Sequence, residues 1–183
     1  MSRVDPTCPT DCLTVLPEVD FNLCTPDVNF GQIEYLFIRN IGSGGLADWS
    51  DLSEWNTYIS NTSSSADAIR RLTVIGSKPA PEKPVVDLSL QRKYYLPKKH
   101  LLNIRLDETN LTNYDWLRQL ECGGQYLIWW TAQKYMYGGD DGIEATLNFD
   151  LIIPESTEEL MVFEGTAEWE YQFHPEAQLN LWG

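Results

Sequence analysis

Basic side chains and histidine are scarce in this chain. Lys and Arg total 13 against 27 Asp and Glu, a formal net charge of −14, and there are only two histidines, His100 and His174. Nucleic-acid binders gain affinity by displacing counterions from phosphates with basic surface. The shortage argues against specific DNA or RNA binding and predicts an acidic surface that keeps copies apart and repels phosphates. No apolar run approaches the roughly 20 residues of a membrane helix, so no membrane partner is expected. The opening residues, MSRVDPTCPTDC, carry no apolar block behind Arg3. This predicts no secretory signal and an intracellular origin. Cysteine is limited to Cys8, Cys12, Cys24 and Cys122. Without a secretory signal disulfides are not the default, and Cys8, Cys12 and Cys24 lack an obvious fourth zinc ligand. Free thiols and no bound metal are expected.

Catalytic motifs are missing as well. No G-x-S-x-G elbow occurs, and neither histidine is tied to a nucleophile motif. His100, in a Lys-Lys-His cluster, and His174, before Pro175, read as surface or strand-edge residues. Glu168 and Glu170 have the spacing of a glycosidase pair, but any acidic strand gives it, and they read as a solvated face. Asp140-Asp141-Gly142 lacks the further ligands of a calcium loop and reads as a hairpin turn. Gly42-x-Gly44-Gly45 lacks the lysine and spacing of a phosphate loop. The expectation is a protein that is not an enzyme and holds no cofactor.

What the chain does contain is enough apolar material for one core. Hydrophobic residues make up 43%, with Trp 7 and Tyr 9, and these two rings favour protein interfaces. Residues 1–30, with Pro6, Pro9, Pro17 and Pro26, predict an extended N-terminal arm that contributes to contacts between subunits. Residues 31–183 predict a single β-rich domain. Residues 31–39 read as a strand. Leu46, Trp49, Leu52, Trp55 and Ile59 then recur at helical spacing, with Asp48 or Ser50 as cap. After a polar loop and strand 68–76 comes a Pro-Lys loop, SKPAPEKP. Alternation in Val86, Leu88 and Leu90, and in Leu102, Ile104 and Leu106, predicts strands with one buried face. Leu111, Tyr114, Leu117 and Leu120 predict a helix over about 111–122. Its start candidates are Thr112 and Asn113, and Gly123 and Gly124 stop it. GQYLIWWTAQKYMY reads as one long strand. Ile143 to Leu151 and Ala167 to Phe173 alternate with polar residues and predict the last two. The fold class is an antiparallel β-sandwich or barrel, mainly β, with one flanking α-helix near 111–122.

One local positive cluster stands out, Arg92 to His100. Its aromatics resemble a nucleic-acid platform, but in so acidic a chain it better fits acidic surface on a neighbouring copy. Arg92, Lys93, Lys98 and Lys99 are the inter-subunit candidates.

From residue 68 to about 175, the order of elements resembles the tail-tube fold of tailed bacteriophages, shared with type VI secretion tubes. The matching parts are the strands from residue 68, the helix TNYDWLRQLECGG, the segment GQYLIWWTAQKYMYGGDDGIEATLNFDLII and the closing strand GTAEWEYQFHP. The resemblance implies subunits in homo-oligomeric rings, usually hexameric, that stack through an arm and a long loop. It implies a structural role in the virion, alongside other tail or neck proteins, with DNA passing unbound. Glu144, Asp150, Glu168 and Glu170 are the candidates to line such a lumen. The arm 1–30 and the segment 46–60 have no match in the family, which leaves a neck, ring or baseplate position open. Two other readings are a β-sandwich that binds carbohydrate or another ligand on exposed Trp and Tyr, and a small acidic hydrolase.

Overall fold

Period-two alternation places one face of each strand inward, and six such strands close on themselves. The computed structural model describes residues 31–62, 67–120 and 124–182. The expected arm 1–30, all four cysteines and the Gly123 helix stop lie outside the described residues. In chain order the elements are β1 (Ile33–Asn40), α1 (Leu52–Ile59), β2 (Ile69–Ser77), β3 (Val85–Leu88), β4 (Arg92–Tyr95), β5 (Lys98–Leu106), α2 (Leu111–Leu120), β6 (Gln125–Ala132), β7 (Tyr135–Tyr137), β8 (Ile143–Ile152), β9 (Val162–Tyr171) and β10 (Ala177–Leu179). The main sheet runs β1-β2-β5-β9-β8-β6, and β6 bonds back to β1. Every pairing is antiparallel, and the result is a closed barrel. Beyond it, β6 carries β7 on the half of its edge that β8 does not use, and β7 carries β10.

Side chains from all six strands fill the barrel, among them Leu36, Val74, Leu102, Ile128, Leu147 and Ala167. The interior is a packed core and not a pore. Strands β5 and β6 lie on opposite sides of the ring, so α2, which joins them, crosses one mouth. Its Leu117 and Leu120 enter the barrel core, and each buried leucine contributes about 1.5–3 kcal/mol. The helix that sequence places outside the sheet thus closes the barrel. Its cap is Asn110, whose Oδ1 accepts from the Asn113 amide at 2.9 Å, and not Thr112 or Asn113.

A second apolar layer covers the outside of β1, β2 and β6. Phe37, Ile69, Leu127 and Trp129 meet Leu46, Trp55 and Met136 there. Strands β1 and β6 are therefore buried on both faces, which accounts for their unbroken apolar runs. The helical spacing predicted from Leu46 yields a helix only from Leu52, capped by Asp51 and not by Asp48 or Ser50. The preceding amides are drawn away. Leu46 and Trp49 donate to the carbonyl and carboxylate of Asp140, and Ala47 and Asp48 donate to Glu54. Among the described residues there are thus two α-helices where the fold-class expectation has one.

The run GQYLIWWTAQKYMY is also corrected. It turns at Gln133 and Lys134, so that Ala132 pairs with Tyr135 in a tight hairpin. Gly138 to Gly142 is not a hairpin turn either, since β7 and β8 both pair with β6 and not with each other. It is a loop folded over Trp129, whose Nε1 donates to the Gly139 carbonyl at 2.7 Å. No helix among the described residues is long and apolar enough to cross a membrane.

Candidate assembly surfaces

Strands β3 and β4 form a hairpin apart from the barrel. Val85 pairs with Tyr95 and Val86 with Tyr94, and Asp87 sits opposite Lys93. β-Branched against aromatic and opposite charges across the ladder are favourable cross-strand pairs. The hairpin continues the edge of β5 outward. Glu82 and Lys99 exchange two backbone hydrogen bonds, of 2.9 and 3.0 Å, and the Leu96 amide donates to the Pro84 carbonyl at 3.1 Å. It therefore projects from the barrel end where β5 begins.

The expected buried face of this segment is not found among the described residues. All eight strand residues of the hairpin are exposed. The tip residue Leu90 is 88% exposed and has φ of 63°, a left-handed conformation that costs a bulky residue about 1–2 kcal/mol. A two-stranded hairpin with no packed face is at best marginally stable in water. Val85, Val86, Leu88, Leu90, Tyr94, Tyr95 and Leu96 are all exposed large apolar or aromatic side chains within this one segment.

The four inter-subunit candidates sit on and beside this hairpin. Arg92 and Lys93 are on β4, while Lys98 and Lys99 open β5. Arg92 Nε donates to the Ser89 carbonyl at 3.2 Å. Lys99 approaches Glu170 at 3.8 Å, with both side chains more than half exposed, so the pair contributes at most about 1 kcal/mol. The four lumen candidates, Glu144, Asp150, Glu168 and Glu170, are all exposed on the outward face of β8 and β9. Asp150 stands directly opposite Glu164.

An open groove of about 1420 Å³ runs beside the hairpin's base, lined in part by His100, Trp169, His174, Glu144, Glu168 and Glu170. The expectation of a surface or edge position holds for His174, which is exposed, and not for His100, which is 2% exposed. The His100 ring stacks on Trp169 at 5.1 Å and meets His174 edge-on at 5.7 Å. Its Nε2 lies 3.1 Å from the Tyr171 carbonyl and its Nδ1 has no hydrogen-bond partner among the described residues. Among the described residues, no three His, Cys, Asp or Glu side chains converge as metal ligands.

Burial holds His100 below the usual histidine value of 6.5, aided by Lys78, His174 and Lys98 and opposed by the Tyr171 carbonyl. Burial, with Lys78, Lys98 and Lys83, lowers His174 too. Below about pH 6.5 the unfolded chain takes up protons that the folded chain refuses. Stability should therefore be flat above that pH and fall as the pH drops through it. Urea midpoints are expected to decline as the pH is lowered from about 6.5 to about 5. His100→Phe, which keeps a ring against Trp169, should remove much of that decline; an unchanged slope would show that His100 is not its source.

A second exposed apolar surface, not anticipated from sequence, lies at the other barrel end. It comprises Ile153, Leu160 and Met161 in the β8–β9 connection, with Leu111 at the start of α2. The irregular spacing of these residues carries no periodic signal. Comparison of the chain with known protein families, curated proteins and solved structures found no match.

Proposed function

We propose that this protein is a structural subunit that assembles with copies of itself, forming a ring or tube in the tail or neck of a phage virion. The β3–β4 hairpin carries the reading. It has strand alternation, aromatic content and a strained apolar tip, and nothing among the described residues buries it. A partner surface gives such a segment the burial that the subunit withholds. The tail-tube resemblance supplies the class of assembly, and the closed antiparallel barrel with a flanking helix and a projecting hairpin is compatible with it.

The packed barrel means that any channel runs between subunits and not through one. Glu144, Asp150, Glu168 and Glu170 share one outward wall, and a ring that turns this wall inward would present carboxylates to passing DNA. Phosphates would be repelled along the bore and not gripped.

Electron microscopy of the purified full chain tests the proposal. Rings or tubes are expected. Replacing residues 85–95 with a short Gly-Ser linker should leave circular dichroism and melting nearly unchanged while assembly is lost. A wild-type chain that stays monomeric at every concentration would refute the reading.

A further inference from the structure

The hairpin and the second apolar surface lie at opposite ends of one strand. Lys98, at the start of β5, pairs with Tyr171, and Leu106, at its end, pairs with Phe163. The hairpin extends beyond the first end; the β8–β9 connection and the start of α2 sit at the second. At about 3.3 Å per residue, β5 separates them by about 26 Å. A subunit therefore cannot fold its own hairpin onto its own far end.

The two surfaces are complementary in both apolar content and charge. Residues 82–99 hold five basic side chains and two acidic ones, around exposed Val86, Tyr94 and Tyr95. At the far end, residues 107–114 and 153–161 hold five acidic side chains and no basic one. Those carboxylates, Asp107, Glu108, Glu155, Glu158 and Glu159, lie in the same two segments as Leu111 and Leu160, which are 80% and 71% exposed. Two hairpins packed against each other would instead crowd Arg92 and Lys93 against their own kind, which is costly once water is removed.

We infer that the β3–β4 hairpin of one copy docks on the far end of a second copy, against the β8–β9 connection and the start of α2. The contact is head-to-tail. A docked pair leaves one hairpin and one acceptor free, so the association can continue along the barrel. This inference rests on the self-assembly reading and adds its acceptor and its polarity.

A mixing experiment on the full chain tests it. Tyr95→Asp spoils the hairpin and Leu160→Asp the acceptor; both side chains are exposed, so melting temperatures should change little. Tyr94→Asp and Met161→Asp repeat the pair at neighbouring positions in case one variant folds poorly. Each single variant should associate about 100-fold more weakly than wild type and stop at the smallest unit it forms, subunit or ring. An equal mixture of the two should stop at two such units, because only one intact hairpin–acceptor contact is then available. Sedimentation velocity reads all three masses. If Leu160→Asp and Met161→Asp assemble like wild type while the hairpin variants do not, the acceptor is wrong and self-assembly stands. If the mixture stays at one unit, the contact is not head-to-tail. If wild type never associates, the assembly reading falls and this inference with it.

Discussion

Replacing Trp129 with alanine should destabilise the protein by about 4 kcal/mol, the upper range for a buried aromatic. Trp129 is fully buried between the barrel wall and the outer layer. Its ring meets Trp55 edge-on at 5.4 Å, and its Nε1 satisfies the Gly139 carbonyl. The loop 138–142 is moulded on it. A Cβ added at Gly138 would run into Trp129 Cδ1, and one at Gly142 would sit 2.5 Å from Trp129 Cζ2. Both glycines also hold positive φ. Truncation leaves a cavity, an orphaned carbonyl and a loop without its template. Urea denaturation should show the loss, with Leu90→Ala as a control near zero because that side chain touches little. A cost below about 1.5 kcal/mol would mean that the outer layer collapses to fill the space.

Gly165→Val should be nearly as damaging, about 3 kcal/mol or more from overpacking. Gly165 lies on the inward-facing series of β9 between Phe163 and Ala167, paired with Phe149 on β8 and Ile104 on β5. Its backbone is ordinary; the requirement is space. A Cβ there would strike the Phe149 ring and lie 2.5 Å from the Asn148 carbonyl oxygen. Phe149 is itself buried in the filled barrel and has little room to move. Thermal melting should show a clear fall for valine and a smaller one for alanine. Equal melting of wild type and Gly165→Val would contradict this packing.

Alternation in β5, β8 and β9 was readable because each buries one face and wets the other. Leu102 to Leu106 and Ala145 to Phe149 are buried as the pattern implies. At Tyr171 the reading overshoots: β9 stops there, and the ring is exposed. β6 and β7 look like one strand because both are apolar, and the turn between them uses Gln133 at φ 48° in place of a glycine or asparagine signal. His100 looks superficial among its lysines; its burial depends on Trp169 and Tyr171, distant in sequence. Arg39 is similar, with Nη1 on the Gly45 carbonyl at 2.7 Å and its guanidinium 4.2 Å over Tyr58. The hairpin misled in the opposite direction. Its alternation is that of a half-buried strand, but nothing among the described residues buries it.

Closure of the barrel has a kinetic consequence. β8 and β9 are neighbours in sequence and can pair early. The last seam, β1 on β6, joins Ile38 to Ile128, 90 residues further on. Contacts of such high sequence separation slow folding, because loop entropy is lost before the pairing returns it. Until β1 arrives, one edge of β6, with its run of leucine, isoleucine and tryptophan, is open to any passing strand. Yield during refolding should therefore depend on chain concentration, with the lost fraction set by the race between β1 and other molecules for that edge.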